Sequence, residues 1–423
     1  MAKNNIINVK LFGQEIGRIG LDIDTAKSSF QYNPEFLKAG NFFNAFPKTG
    51  IIRKVSQAQT FSQFNNATFK GLPPQIADSL PDLFGNLIFK TWIDTNEQKE
   101  ITALEQLAYV SNRGMGALEY EPSIALPKNS EIDLAEIIEV LKSVMDIKKE
   151  SGGHELNSDA LINIFKIGTS AGGARPKIII SEHKASGKIQ PGDLSYSDDY
   201  DHYLVKLALE DEINYPREIV EYCYYLTAKE VGITMMDSKL IDDKHFATQR
   251  YDRIGGKKIH SLTATGLTGW DFKDPEPSSY ENLFKLASFL KVPHAQSQEL
   301  YKRMIFNLVF RNSDDHLKNH AFIYDPKIDR WFLSPAYDLT YPLNPLLHYK
   351  KTSRALSVNG KRTDINLKDV LKIAEMYTIK NPKGIIKDVT ASISSLESHM
   401  KAHDVGSRVR ESILGKASLG QLG

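Results

Sequence analysis

Apolar and polar side chains alternate near the start of the chain, as in Ile6-Ile7-Asn8-Val9-Lys10-Leu11-Phe12. A period of two residues is typical of a half-buried β-strand, and nearby glycines permit tight turns, so residues 6–23 predict an antiparallel hairpin. Residues 102–110 predict a short helix. We therefore expect residues 1–125 to form a β-rich N-terminal domain.

The spacing of apolar residues changes further along the chain. Residues 132–148 carry apolar side chains at helical spacing and predict an amphipathic helix. A glycine-rich turn, two strands, a helix and a third strand then follow at residues 168–177, 178–180, 203–207, 216–231 and 246–253. Helical patterns dominate after Tyr280. We therefore predict two further domains, at residues 126–255 and 256–423.

The composition is that of an ordinary globular protein. With 423 residues, of which 41% are hydrophobic and 25% charged, the chain is long enough for two or three packed units. A formal net charge of +1 gives no bulk attraction to nucleic acid, and the single cysteine, Cys223, excludes an internal disulfide framework. The chain begins with no apolar signal segment and contains no apolar stretch of membrane-spanning length, so we expect a cytoplasmic protein without membrane attachment.

A polar segment, Asn312-Ser313-Asp314-Asp315-His316-Leu317-Lys318-Asn319, lies between a predicted buried helix and a predicted strand. A polar loop between two buried elements usually carries function. In protein kinases an Asp accepts the proton of the substrate hydroxyl, an Asn five positions later binds magnesium, and a second Asp on the next hairpin binds the bridging magnesium. Asp314, Asn319 and Asp338 have this arrangement.

Phosphoryl transfer explains why these residue types are present. Its catalysis consists mostly of positioning and of charge neutralisation, by magnesium on hard oxygen ligands and by cationic side chains. Lys318 is expected to steady the γ-phosphate and His316 to brace the loop. Two alternatives stay open from the pattern alone: a plain polar turn, or Asp315 as the base. The five-residue step to Asn319 favours Asp314.

Residues expected to contact the phosphates precede this loop. Gly172 and Gly173 lie in the glycine-rich turn, where small residues let a backbone approach a ligand, although a plain turn is an alternative. Lys206 ends an apolar strand as the phosphate-binding lysine of kinases does, but an edge-strand lysine that faces solvent fits equally well. The helix that follows offers three possible partners for this lysine: Glu218, Glu221 and Glu230. We select Glu221 as the predicted partner.

Five motifs occur in order along nearly the whole chain. They are Phe69-Lys70-Gly71-Leu72-Pro73-Pro74 with residues 79–86, then residues 113–122, 170–177, 314–319 and 334–339. Together they resemble the HipA family, the serine/threonine-kinase toxins of bacterial type II toxin–antitoxin systems. The resemblance implies an α+β, protein-kinase-like bilobal fold with an added N-terminal β-rich subdomain and a mainly helical C-terminal lobe. It also implies that ATP and magnesium bind between the lobes.

The same resemblance implies roles for individual residues of the catalytic segment. Asp314 corresponds to the general base, and Asn319 and Asp338 to the magnesium ligands. Lys206 corresponds to the residue that contacts the nucleotide phosphates.

Two further roles are implied by the resemblance. Gln249 and Tyr251 lie in a segment similar to the family's hinge strand, in which Glu-Arg-Phe-Asp-Arg is frequent, and they are expected to contact adenine through backbone groups; Gln249 replaces the acidic residue. Ser170 resembles the family's autophosphorylated serine. A phosphate adds about two negative charges to a loop that cradles ATP, so we expect autophosphorylation to silence the enzyme.

Partners are also implied by the resemblance. Members of the family phosphorylate proteins of translation, notably aminoacyl-tRNA synthetases, act in persistence, and are held by a HipB-type helix-turn-helix antitoxin that binds operator DNA. This sequence shows no such helix pair, so we expect a separate antitoxin chain and DNA contact only through that complex. The sequence also contains a basic cluster, which consists of Lys350, Lys351, Arg354, Lys361 and Arg362. This cluster could contact DNA in the complex, but we favour a solvated charged face.

Two other functions stay open. One is a catalytically idle kinase fold that binds the antitoxin as a co-repressor, and the other is a small-molecule phosphotransferase similar to aminoglycoside kinases. The presence of all the expected catalytic residues favours an active enzyme over the first. The segment Gly71-Leu72-Pro73-Pro74 favours a HipA-type protein kinase over the second.

Overall fold

The structure is a computed structural model, and it describes residues 6–22, 24–25, 27–46, 50–53, 56–80, 102–123, 138–139, 176–192, 197–208, 215–347 and 353–417. The chain divides into two compact units. Unit 1 comprises residues 1–209, 247–262 and 266–269, and unit 2 comprises residues 210–246, 263–265 and 270–423. The predicted domain boundaries near residues 125 and 255 stay a prediction.

The predicted N-terminal hairpin lies within an antiparallel sheet of unit 1, with the order β4-β3-β2-β1-β5. Its strands are β1 (Ile6–Leu11), β2 (Gln14–Asp22), β3 (Lys27–Tyr32), β4 (Gln59–Thr60) and β5 (Leu118–Glu121). Ile7, Val9 and Leu11 are fully buried, and the residues between them are partly exposed, as alternation predicts. Val9 lies opposite Gly17 in β2 and Tyr120 in β5.

Short helices accompany this sheet. They are α1 (Pro34–Ala39), α2 (Asn66–Phe69), α3 (Pro74–Ala77) and α4 (Ala103–Val110). Helix α4 confirms the predicted helix at residues 102–110. It begins with a capping box, in which Thr102 Oγ1 accepts from the Glu105 backbone N–H and the Glu105 carboxylate accepts from the Thr102 N–H.

A second sheet of unit 1 contains the predicted lysine strand and has the order β7-β6-β8-β10. Its strands are β6 (Lys177–His183), β7 (Ile189–Pro191), β8 (Tyr200–Lys206) and β10 (His245–Gln249). Ile178 pairs with Val205, and both are fully buried. β9 (Ser238–Ile241) and the start of β10 form a hairpin in unit 2. Three short strands follow: β11 (Arg253–Ile254), β12 (Lys257–Lys258) and β13 (His260–Thr263).

Helices dominate the rest of the described chain. They are α5 (Arg217–Glu230), α6 (Ala264–Thr268), α7 (Tyr280–Phe289), α8 (His294–Val309), α9 (Leu367–Met376), α10 (Pro382–Ala391), α11 (Ile393–Ala402) and α12 (Ser407–Leu414). The hairpin β14 (Ala321–Asp325) and β15 (Arg330–Leu333) follows α8. Met304, Ile305 and Phe306 are fully buried, so α8 forms the core of unit 2.

The fold class expected from the sequence is confirmed, because β-rich structure comes first and helices dominate the C-terminal part. The helix predicted at residues 216–231 and the strand predicted directly after the polar segment 312–319 are both present, as α5 and β14. Every helix within the described ranges is too short or too polar to span a lipid bilayer.

Candidate active site

The polar segment at residues 312–319 connects α8 to β14. Helix α8 ends at Val309, and Arg311 adopts a left-handed backbone conformation (φ 57°) that turns the chain out of the helix. One 3-10 turn, Leu317–Asn319, leads into β14, and the side chain of Leu317, its first residue, is fully buried. Buried structure therefore holds the loop at both ends, as the flanking sequences predict.

The two neighbouring aspartates of this loop differ in environment. Asp314 is exposed, whereas Asp315 is 1% exposed. Asp315 Oδ2 accepts hydrogen bonds from Tyr280 Oη at 2.6 Å and from Arg354 Nη2 at 2.7 Å, and Arg354 Nη2 also donates to the Asn312 carbonyl at 3.1 Å. Burial disfavours the charge on Arg354, but the Asp315 carboxylate holds the pKa of Arg354 above its usual value. Asp315 is therefore held in a buried ion pair, and Asp314 is the solvent-exposed aspartate of the two.

Side-chain hydrogen bonds connect Asp315 to the backbone of Asp338. Tyr280 Oη accepts from Asn307 Nδ2 at 3.0 Å, and Asn307 Oδ1 accepts from Asn312 Nδ2 at 3.0 Å. Asn312 Nδ2 also donates to the Asp338 carbonyl at 3.1 Å. We call the connected side chains the Tyr280 network: Tyr280, Asn307, Asn312, Asp315 and Arg354.

Asn319 and Asp338, the predicted magnesium ligands, are each held in a defined conformation. Asn319 Nδ2 donates to the Asp314 carbonyl at 2.8 Å, and Asn319 Oδ1 accepts no hydrogen bond from the residues that the structure describes. Asp338 has a left-handed backbone (φ 56°), a conformation that Asp tolerates better than most residues and that is frequent at functional sites. The binding of magnesium by Asn319 and Asp338 stays a prediction.

Both predicted ligands line one small cleft in unit 2. The other lining residues are mostly polar: Arg303, Asn307, Asn312, Asp315, His320, Ala336, Tyr337 and Leu339. Within the described ranges, no group of three or more His, Cys, Asp or Glu side chains is placed to bind a metal by itself. Mg²⁺ in phosphoryl-transfer enzymes uses one or two protein oxygens together with substrate phosphates and water. The carboxylate and amide oxygens here fit a cation that binds together with a nucleotide.

Two basic residues also line the cleft. Burial lowers the pKa of His320 to about 4, so its ring is neutral at neutral pH. Arg303 is also buried, which lowers its pKa, and its Nε donates to Glu299 Oε1 at 3.0 Å. Arg303 stays charged because its guanidinium pKa is far above neutral. Of these two residues, Arg303 is therefore charged and paired with Glu299, whereas His320 is neutral.

The predicted loop residues His316 and Lys318 both contact Phe272. The Lys318 ammonium lies 5.3 Å from the centre of the Phe272 ring, and the His316 ring lies 5.1 Å from it. Tyr337 Oη donates to the Lys318 carbonyl at 2.8 Å. Phe272 and Tyr337, neither of which was selected from the sequence, therefore hold this side of the loop.

Lys206 and its predicted partner are both largely buried. Lys206 is 9% exposed at the end of β8 in unit 1, and Glu221 is 6% exposed in α5 of unit 2. Glu230, another candidate partner, is exposed and accepts a hydrogen bond from His399 Nε2 at 2.8 Å. The pairing of Lys206 with Glu221 stays a prediction.

The predicted hinge segment has a buried ionic core within unit 1. Asp252 is fully buried, and its carboxylate binds Arg250 Nη2 and Arg253 Nη1, each at 2.8 Å. Its Oδ2 also accepts from the Gly116 N–H at 2.7 Å. These charges hold the pKa of Asp252 far below its usual value, in spite of burial. The segment is thereby fastened to the loop that follows α4.

The side chains of the two predicted adenine contacts differ in what they can reach. Tyr251 is 8% exposed, and its hydroxyl is hydrogen-bonded to Ser261 Oγ at 3.1 Å. Gln249 is partly exposed at the end of β10. Contact of Tyr251 and Gln249 with adenine stays a prediction.

Some predicted residues fall elsewhere. Gly172, Gly173 and Ser170 lie outside the described residues, as do Lys350 and Lys351 of the basic cluster. The other three cluster residues bind groups of the same unit: Arg354 joins Asp315, Lys361 pairs with Asp369 at 2.9 Å, and Arg362 donates to the Ser278 carbonyl at 2.8 Å. A solvated basic face is therefore the wrong interpretation for Arg354, which is 8% exposed.

Comparisons with known proteins bear on the family and the fold of this chain. A family profile described as the HipA-like C-terminal domain matches residues 169–397, and one described as the HipA N-terminal domain matches residues 7–121. A search of curated proteins found no match.

Two solved structures are similar to this chain. One is HipA from Shewanella oneidensis MR-1, in a toxin–antitoxin complex with HipB and operator DNA. The match has a TM-score of 0.66 and 16% sequence identity, and it covers 97% of this chain and 96% of that chain. The other is the proinflammatory kinase CtkA of Helicobacter pylori, with a TM-score of 0.36, 13% identity and coverage of 51% and 85%, a likeness too weak to bear on the fold. The match to the Shewanella structure shows a similar fold, and the two family profiles show that this chain belongs to the HipA family.

Proposed function

We propose that this chain is an ATP- and magnesium-dependent serine/threonine protein kinase of the HipA toxin type. One observation carries the proposal: Asn319 and Asp338 line a single cleft, and Asn319 is hydrogen-bonded to the backbone of the exposed Asp314. A kinase needs an accessible carboxylate beside two oxygen ligands for magnesium. The buried ion pair of Asp315 supports Asp314 as that carboxylate.

In the proposed reaction, the Asp314 carboxylate accepts the proton of the substrate hydroxyl while the hydroxyl oxygen attacks the γ-phosphorus of ATP and ADP leaves. Asn319 and Asp338 would hold magnesium, which when bound neutralises charge on the transferring phosphoryl group. The Lys318 ammonium steadies the γ-phosphate, and Lys206 binds the nucleotide phosphates. Gln249 and Tyr251 bind adenine through their backbone groups.

We infer that the substrate is a protein of the translation machinery, such as an aminoacyl-tRNA synthetase, and that the enzyme acts in the cytoplasm. A separate helix-turn-helix antitoxin would neutralise it and bring it to DNA. The Shewanella neighbour was solved with HipB and operator DNA, which supports a partner of this kind. The internal bonds of Arg354 and Arg362 also favour DNA contact through the partner rather than through this basic segment.

Autophosphorylation of Ser170 is the proposed self-limiting switch. A phosphate there would place like charge where the ATP phosphates bind, so activity should decline as Ser170 becomes modified. Mass spectrometry of the protein after incubation with ATP and magnesium, in parallel with turnover, tests the switch. An unmodified Ser170 together with declining activity would contradict it, as would full modification with undiminished turnover.

The kinase proposal is tested by incubating the purified chain with γ-labelled ATP, magnesium and a cell extract. We expect one labelled protein band, which carries phosphoserine or phosphothreonine. Label that appears only in small molecules would favour a small-molecule phosphotransferase. No transfer at all would favour a catalytically idle scaffold that binds an antitoxin.

A further inference from the structure

The exposed Asp314 lies between residues whose positions are fixed by one distant segment, residues 354–356. Arg354 Nη2 donates to the Asn312 carbonyl at 3.1 Å, and the Ala355 N–H donates to the Ser313 carbonyl at 2.8 Å. On the other side of Asp314, the Asp315 carboxylate accepts from Arg354 at 2.7 Å and from the Leu356 N–H at 3.4 Å. The backbone on both sides of Asp314 is thus attached to the same segment.

We propose that Tyr280 and Arg354 are positioning residues for Asp314, which act through Asp315 and through the backbone of Asn312. This proposal rests on the proposed function, because it assigns Asp314 the role of the base. Tyr280 begins α7 and is fully buried, so the hydroxyl that binds Asp315 is held by the helical core of unit 2. Neither Tyr280 nor Arg354 needs to contact substrate for this role.

The Tyr280 network also connects Asp315, the neighbour of the proposed base, to the backbone of the proposed magnesium ligand Asp338. Asn307 donates to Tyr280 and accepts from Asn312, and Asn312 donates to the carbonyl of Asp338. A displacement of Tyr280 would therefore be transmitted to Asp338 as well as to Asp315. Misplacement of catalytic groups by about 1 Å can cost about a hundredfold in rate.

The positions of Tyr280 and Arg354 are themselves defined by backbone pairing. The Tyr280 N–H donates to the Ser357 carbonyl at 3.0 Å, and the Ser357 N–H donates to the Ser278 carbonyl at 3.1 Å. Arg362 Nη2 donates to the same Ser278 carbonyl at 2.8 Å. The segment before α7 and the segment after residue 353 are therefore hydrogen-bonded to each other, and this pairing defines where Tyr280 and Arg354 lie.

Tyr280→Phe tests the proposal because it removes one hydroxyl and keeps the ring. The matched control is Tyr301→Phe: Tyr301 is equally buried, but its hydroxyl donates to the Val370 carbonyl at 3.1 Å, outside the Tyr280 network. With γ-labelled ATP and magnesium, we expect kcat of Tyr280→Phe to fall at least about tenfold while KM for ATP changes less than about twofold. The control should keep kcat within about twofold of the unsubstituted protein.

Amide hydrogen exchange gives a readout that does not depend on activity. Residues 312–319 should exchange faster in Tyr280→Phe than in Tyr301→Phe, because the loop has lost one of its attachments. If Tyr280→Phe does not fold, Arg354→Lys takes its place. Lysine keeps the charge, but its side chain is one bond shorter, so its ammonium stops short of the position of Arg354 Nη2, which donates to both Asn312 and Asp315. The same fall in kcat is expected.

The possible failures are distinguishable. If the unsubstituted protein transfers no phosphate, the proposed function fails and this inference fails with it. If the unsubstituted protein is active but Tyr280→Phe keeps its kcat and its loop exchange, the inference alone is wrong. An equal loss of kcat in Tyr280→Phe and Tyr301→Phe would also overturn it, because the effect would then be one of general packing.

Discussion

Asp315 and Arg354 form a buried ion pair, with 2.7 Å between Oδ2 and Nη2, next to an aspartate that is exposed. Removal of one partner of a buried pair leaves the other charge uncompensated, which costs about 3–5 kcal/mol. Asp315→Ala should therefore lower the free energy of unfolding by roughly that amount. Asp314→Ala should change it by less than about 0.5 kcal/mol, as is usual at an exposed site.

Urea denaturation of both variants measures this difference. The pair of variants separates a structural aspartate from a catalytic one, because Asp314→Ala should instead abolish phosphate transfer. Equal destabilisation by the two substitutions would contradict the assignment of Asp315 as the buried anion.

Asn319 is expected to affect the magnesium requirement. Asn319→Ala removes the proposed oxygen ligand and the hydrogen bond to the Asp314 carbonyl, so the magnesium concentration for half-maximal turnover should rise at least about tenfold. Asn359→Ala is the control, because Asn359 Nδ2 donates to Asp369 Oδ1 at 2.9 Å, outside the cleft lining. An unchanged magnesium dependence in Asn319→Ala would exclude Asn319 as a ligand.

Gly116 is expected to tolerate no side chain. Its φ is +77°, and a Cβ there would lie 2.7 Å from the Ser261 carbonyl oxygen. Gly187 has a similar φ of +69°, but no atom lies within 4 Å of the position of a Cβ there. Gly187→Ala therefore measures the cost of the backbone conformation alone, which should be about 1 kcal/mol. Gly116→Ala should cost roughly 2–4 kcal/mol, because overpacking adds to that strain.

Thermal unfolding of the two alanine variants checks the expectation. If Gly116→Ala loses no more stability than Gly187→Ala, the close approach of Gly116 to Ser261 contributes nothing.

His260 should make stability depend on pH. Burial lowers the pKa of His260 to about 3 in the folded protein, whereas the unfolded chain binds the proton near the usual value of about 6.5. The unfolded state therefore binds more protons between these values, and the free energy of unfolding falls as pH falls from about 6.5 towards 3. From about pH 7 to about pH 5 this group should account for roughly 2 kcal/mol.

His260→Phe isolates that contribution, because the site is already next to the rings of Phe12 and Phe46. Urea denaturation at about pH 7 and about pH 5 should show a smaller decrease for the variant than for the unsubstituted protein. Burial also lowers the pKa of His202 and His245, so the variant should keep some pH dependence. Equal decreases would contradict the assignment to His260.

The local elements around the site could be predicted because their signals are local. The fully buried Met304, Ile305 and Phe306 and the buried side chains of β14 are apolar runs, and the polar segment between them stands out by contrast. The alternation at Ile7, Val9 and Leu11 gave the first strand for the same reason. In each case, a few consecutive residues contain the information.

The Tyr280 network could not be predicted in this way, because its members are far apart in sequence. Tyr280 and Arg354 lie 35 and 39 residues from Asp315, and nothing near either residue indicates that contact. Arg354 stands among basic residues, so its sequence context suggested a solvated face. Which of the two adjacent aspartates is buried depends on these distant partners. The spacing to Asn319 favoured Asp314 as the base, but it could not show that Asp315 is buried in an ion pair.

The central claim is that Asp314 is the base and that Asp338 holds a metal ion for phosphate transfer from ATP. The most direct measurement compares transfer from γ-labelled ATP by the unsubstituted protein, by Asp314→Asn and Asp338→Ala, and by Asp388→Asn as an exposed carboxylate control in α10. We predict that each of the first two variants loses at least about a hundredfold in rate and that the control retains its activity. Full activity in either Asp314→Asn or Asp338→Ala would contradict the account.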